Sequence, residues 1–109
     1  MRYRLIIEYD GAEFCGWQSQ ADGCAVQDAL QHAITSFCGE TVTVYGAGRT
    51  DSGVHARGQV AHINLDTSPQ PDRVRDGINF HLRPSLVAVR AAHYARADFD
   101  ARFSALARH

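Results

Sequence analysis

The sequence predicts an α+β domain in which an antiparallel sheet is covered on one face by two helices. Three observations predict it. Segments of period-two hydrophobicity are interleaved with segments of helical period, their order is strand, helix, strand, strand, helix, strand, and 109 residues with 45% hydrophobic content supply one core and no second.

Arg2 to Asp10 alternates Tyr3, Leu5, Ile7 and Tyr9 with Arg4, Ile6, Glu8 and Asp10, the pattern of a strand with one face in a core. Residues 11 to 24 have no sustained period and form a loop around Phe14-Cys15-Gly16-Trp17. Val26, Ala29, Leu30, Ala33, Ile34 and Phe37 share one helical face, and Gly39 stands where a helix stops. Thr41 to Tyr45 is a short β-branched strand. Gln59 to Leu65 is another, with Ala61, Ile63 and Leu65 on one face and Val60, His62 and Asn64 on the other.

Asp66 to Pro71 is a turn, and Val74, Ile78 and Leu82 mark a second helix that ends before Pro84, although Gly77 weakens it. Leu86 to Tyr94 is a further strand, and Ala97 to Arg108 has helical composition with Phe99 and Phe103 four apart. This order is that of the ferredoxin-like βαββαβ plan, with both helices on one face of the sheet. Many unrelated functions use the plan, so it does not choose an activity.

No apolar run reaches the roughly 20 residues that span a bilayer, and the N-terminus leads directly into a strand pattern. The chain reads as soluble and cytoplasmic. Cys15, Cys24 and Cys38 are odd in number and lack metal or redox spacing, and no spacing among the six histidines predicts a cluster, so no metal site is expected. The net charge of −1 argues against nucleic-acid binding, but it hides an asymmetry. Residues 1–48 hold two Arg and six acids (−4), and residues 49–109 hold nine Arg and six acids (+3). Every cationic Lys-or-Arg position is Arg, a usage that high-GC coding explains as well as phosphate recognition does.

The connection between the middle two strands is too long for a hairpin and contains Gly46, Gly48, Gly53 and Gly58. Within it Arg49 lies two residues before Asp51. A fixed cation favours the ionised carboxylate, which can act as nucleophile or base. The competing reading is an Asx-type turn at Asp51 with Arg49 as a solvated surface charge. Composition alone favours the second.

The string Gly48-Arg49-Thr50-Asp51-Ser52-Gly53-Val54-His55-Ala56 resembles the signature of the transfer-RNA pseudouridine synthase A family, in which one of nine positions is free. Three further segments resemble the family in the same order: Tyr9-Asp10-Gly11 through Phe14-Cys15-Gly16-Trp17-Gln18, then Ala25-Val26-Gln27, then Phe99-Asp100-Ala101-Arg102-Phe103-Ser104-Ala105. Asp100 departs from the family, where His is frequent. The likeness covers essentially this whole chain and about the N-terminal half of the family's length.

The resemblance implies a pseudouridine synthase fold, N-terminal half, and an isomerase acting on uridines of the tRNA anticodon stem-loop. Asp51 would be the catalytic carboxylate. Arg49 would pair with it and help displace the flipped uridine, and Phe99, Arg102 and Phe103 would contact RNA. Whether Asp51 attacks the ribose or C6 of uracil, or deprotonates the sugar, stays open. The reaction involves no redox step and no external group, so no cofactor is expected. The family implies a homodimer and a second domain beyond residue 109, so residues 1–109 are expected to form a single catalytic-Asp-bearing domain, inactive alone. Two other classes compete. A non-catalytic RNA-binding module needs exposed aromatics on its central strands, whereas Tyr3 and Tyr9 read as inward-facing. A small-molecule or oligomerisation domain leaves the long loop unexplained. Trp17 reads either as a base-stacking residue or, more readily, as an aromatic closing a core edge.

Overall fold

A computed structural model describes residues 1–10, 14, 16–17, 25–46 and 56–101, with backbone alone at 56 and 57. The described elements run β1 (Arg2–Tyr9), α1 (Val26–Cys38), β2 (Tyr45–Gly46), β3 (Ala56–Asn64), α2 (Pro71–Leu82) and β4 (Val87–Ala95). The strands form one sheet in the order β2-β3-β1-β4, with every pairing antiparallel. This is the ferredoxin-like arrangement the element order predicts.

β1 is central because it is the strand with a complete alternation. Tyr3, Leu5, Ile7 and Tyr9 are all buried, beneath Leu30 and Ile34 of α1 and Ile78 of α2 in one cluster. Burying each such aliphatic side chain contributes about 1.5–3 kcal/mol, whereas exposed ion pairs such as Arg75 with Asp76 contribute little. The core therefore holds the fold. At its polar margin the Tyr3 hydroxyl donates to the Pro69 carbonyl at 2.6 Å, tying the turn before α2 to the sheet.

α1 stops where its glycine stands. Gly39 adopts φ 77°, a left-handed conformation open to glycine, and its N–H donates to the Thr35 carbonyl at 2.8 Å. At the other end the Asp28 carboxylate accepts the Ala25 N–H at 3.3 Å. α2 continues through Gly77, and Phe37 of α1 fills the space that a side chain there would take.

Two expectations need correction. The strand predicted over Thr41 to Tyr45 is present only as Tyr45–Gly46. Val44 is fully buried, yet its backbone is taken by helix side chains. Its N–H donates to Gln31 Oε1 at 3.0 Å, and its carbonyl accepts from Gln27 Nε2 at 2.7 Å. With its N–H so engaged, Val44 has no donor left for a ladder. Conversely, β3 starts three residues before the predicted Gln59, because Ala56 pairs with Tyr9. The helix expected over Ala97 to Arg108 is described only as far as Ala101, where helical conformation begins, and the remainder lies outside the described residues.

β4 matches its prediction but carries an irregularity no pattern announces. Ile6 faces Ala91 while Ile7 faces Val89, leaving Arg90 as an extra residue. The inward positions shift accordingly from Val87 and Val89 to Ala92.

Candidate functional site

Arg49 and Asp51 lie outside the described residues, but both ends of their loop are described. At its start, Gly46 pairs with Ala61 and lies flat against the Trp17 indole, where a Cβ would come within 2.6 Å of ring atoms. At its end, Ala56 pairs with Tyr9. The Tyr9 ring sits 6.2 Å from that of Trp17 and 6.4 Å, edge-on, from that of Phe14. One aromatic cluster thus anchors both ends of the connection.

That cluster is tied in turn to α1. The Gly16 and Trp17 carbonyls accept the N–H groups of Val26 and Gln27 at 3.1 and 3.0 Å, satisfying donors that a helix N-terminus leaves open. Gln27 then reaches Val44, two residues before Gly46. Tyr9, Phe14, Trp17 and Gln27, scattered through the first 27 residues, therefore form the frame of the Arg49–Asp51 loop. Trp17 is 3% exposed, which supports the core-edge reading over base stacking.

The second part of the candidate site is the chain after β4. Phe99 is half-buried, its ring 6.1 Å from that of His62 and edge-on to it. Its N–H donates to the Arg96 carbonyl at 2.9 Å, closing a turn, and its carbonyl accepts from Arg2 Nη1. Ala101 donates its N–H to His62 Nδ1 at 3.2 Å. Arg102 and Phe103 lie outside the described residues. Phe99 thus packs on the sheet face opposite the helices from a turn that precedes the helical conformation, so the helix expected from Ala97 does not include it.

His62 is the residue that sequence reasoning missed. It is 3% exposed, and among the described residues it is the buried polar side chain of the fold. Tyr45 stacks on it at 4.8 Å. In register it faces Arg4, which faces His93 across the other side of β1, so one row of the outer face reads Tyr45, His62, Arg4, His93. An isolated histidine in a strand gives no warning of this, because the segment that covers it arrives from 37 positions later at Phe99.

Among the described residues, the shifted acid–base groups near the sheet, Tyr3 and Glu40, lie at the opposite end of β1 from the loop. Burial foremost, then Tyr94 and Glu40, pushes the Tyr3 phenol up. The Asp66 N–H, with Thr67, holds the Glu40 carboxyl below its ordinary value. Among the described residues no group of three or more His, Cys, Asp or Glu side chains could hold a metal ion, and no helix is long and apolar enough to cross a membrane.

The fold is an α+β domain in which an aromatic frame holds both described ends, Gly46 and Ala56, of the glycine-rich connection that contains Arg49 and Asp51. A family profile described as tRNA pseudouridine synthase matches residues 5–104. The chain is 56% identical over 108 residues to tRNA pseudouridine synthase A of Rhodopseudomonas palustris, 55% to that of Afipia carboxidovorans and 52% to that of Parvibaculum lavamentivorans. Each comparison covers 99% of this chain and 44% of the relative. The chain belongs to the tRNA pseudouridine synthase family, and it spans less than half the length of these curated relatives.

Proposed function

We propose that this chain is the catalytic-Asp-bearing domain of an enzyme that converts uridine to pseudouridine in the anticodon stem-loop of tRNA, with Asp51 as the reacting carboxylate and Arg49 as its partner. The observation that carries the reading is the anchoring of the Arg49–Asp51 connection at both ends by one buried aromatic cluster, through Gly46 on Trp17 and Ala56 beside Tyr9. Anchored ends restrict where the carboxylate can travel, which is what an attack on a single atom requires. The family of the relatives supports the choice of substrate.

The isomerisation breaks the C–N glycosidic bond, turns the uracil in place and joins its C5 to the same ribose carbon. The C5 hydrogen leaves as a proton, and the former glycosidic nitrogen gains one. Electrons balance without an oxidant or reductant, so the proposal includes no cofactor. The target base must leave its stack to reach the loop. Phe99, Arg102 and Phe103 are proposed to contact the RNA beside it. The reading includes a homodimer in the cytoplasm.

The test is tritium release from C5-labelled tRNA by an enzyme of the relatives' length containing these 109 residues. The intact protein is expected to release tritium, and Asp51→Asn to lower the rate by about a thousandfold or more. Full activity of the Asn variant would remove Asp51 from the mechanism. Residues 1–109 alone are expected to release none, since the loop supplies only part of a pocket.

A further inference from the structure

We infer that His62 is a positioning residue that clamps the turn leading to Arg102 against the strand that emerges from the catalytic loop. The RNA-binding part of the inference rests on the function proposed above, while the clamp itself rests on geometry. Three contacts carry it. Ala101 donates its N–H to His62 Nδ1 at 3.2 Å, the Phe99 ring meets the imidazole edge-on at 6.1 Å, and Tyr45 of β2 stacks on it at 4.8 Å. The imidazole therefore joins β3, the edge strand β2 and the chain after β4.

The chemistry of the ring fixes how the clamp works. Because Nδ1 accepts a backbone N–H it carries no proton, which places the ring proton of the neutral form on Nε2. The donor it satisfies opens the helical conformation at Ala101, where a first-turn N–H has no partner within its own helix. An aliphatic residue at position 62 would fill the volume but leave that buried N–H unpaired. Val60, two residues earlier on the same face of β3, is buried with an aliphatic side chain, so burial alone does not call for histidine here.

Position gives the clamp its consequence. β3 runs as one strand from Ala56, the last residue of the loop motif, to Asn64, with one extra residue against β1 between Ala56 and Gln59, and His62 lies six residues along it, about 20 Å or less from the loop exit. Arg102 follows Ala101 directly in the chain. One strand thus fixes the loop exit at one end and Ala101, the residue before Arg102, at the other. Arg2 reinforces the second anchor, donating to the Phe99 carbonyl while its Nε holds Asn64 Oδ1 at 2.9 Å. Two groups proposed to face the same RNA are held in register by a shared β-strand.

The test compares three substitutions in an enzyme of the relatives' length: His62→Phe, which keeps a ring without an acceptor; His62→Asn, whose Oδ1 stands the same number of bonds from Cβ as Nδ1; and His62→Gln, whose acceptor reaches the Nε2 position instead. Hydrogen exchange of the Ala101 amide and affinity for a tRNA anticodon stem-loop are measured in each. His62→Phe and His62→Gln are expected to speed Ala101 exchange about five- to tenfold and to weaken RNA binding about three- to tenfold, while His62→Asn, which keeps the acceptor and gives up the ring contacts, changes each less than His62→Gln does. The rate of the chemical step at saturating RNA stays unchanged in all three. Unchanged Ala101 exchange in both His62→Phe and His62→Gln overturns the clamp. If Arg102→Ala weakens RNA binding and His62→Phe does not, the clamp has no role in recognition and the inference fails alone. If neither variant weakens binding, the proposed RNA contact fails and carries the inference with it. Should His62→Phe not fold, the Gln–Asn contrast decides the same question.

Discussion

The ring of Phe37 on α1 occupies the space that a side chain at Gly77 on α2 would need. A Cβ built on Gly77 falls 2.2 Å from Phe37 Cδ1 and Cε1, well inside any real contact. The glycine that weakens α2 as an isolated helix is what lets the two helices pack.

Gly77→Ala is therefore expected to destabilise the domain although alanine is the better helix former. Overpacking costs about 1–3 kcal/mol against a propensity gain of about 1 kcal/mol, so the net loss is up to about 2 kcal/mol. Chemical denaturation reads it directly. The same substitution made in a Phe37→Leu background should cost less, and equal costs in the two backgrounds would show that Phe37 is not the obstacle.

Gln27 and Gln31 hold Val44 by its two backbone groups. Replacing either with Leu leaves a buried carbonyl or N–H without that partner, at an expected cost of about 1–2 kcal/mol in urea unfolding. Since Val44 lies two residues before Gly46, Gln27→Leu should also slow tritium release in an active enzyme beyond what its lower stability explains. An unaltered rate per folded molecule would separate the clasp from the site.

The Glu40 carboxylate gathers the Asp66 N–H at 2.7 Å, the Thr67 hydroxyl at 2.8 Å and the Thr67 N–H at 3.4 Å. These bonds favour the ionised form, so the folded-state pKa lies below the ordinary 4.5. A lowered carboxyl pKa stabilises the fold fully above that ordinary value, and the contribution disappears as pH falls through the folded-state pKa. Glu40→Gln should lower stability at pH 7 by about 1 kcal/mol, allowing for solvent screening. The gap between the two proteins should narrow below about pH 4.5. A gap that stays constant from pH 7 to pH 3 would place the effect elsewhere.

β4 forms the edge of the described sheet, and Asn79 closes part of it. Its amide donates to the Val89 carbonyl at 2.9 Å and accepts the Val89 N–H at 2.7 Å, occupying the groups a foreign strand would use. Asn79→Leu is expected to cost about 1–2 kcal/mol and to promote concentration-dependent association visible by light scattering. A variant that stays as dispersed as the parent at high concentration would deny the edge its protection.

Much of the architecture was legible because it depends on local pattern. The alternation of Tyr3 to Tyr9, the six apolar positions from Val26 to Phe37 and the stop at Gly39 all correspond to described elements. The strand predicted from Thr41 failed for a non-local reason, since glutamines on α1 claim the backbone of Val44. The extra residue at Arg90 was equally invisible, because a bulge is defined by what faces it across the sheet.

By itself the sequence determined the element order, the inward face of β1, the two faces of β3 and the motif that resembles a pseudouridine synthase loop. These follow from short-range periodicity and from a contiguous string of residues. Tertiary structure alone decided what those residues meet. It placed Trp17 beneath Gly46 with 3% of its surface exposed, and it buried His62 under Phe99 and Ala101. The physical reason is that burial and hydrogen bonding belong to pairs of groups, and the partners of these residues lie tens of positions away, joined to them only when the sheet closes.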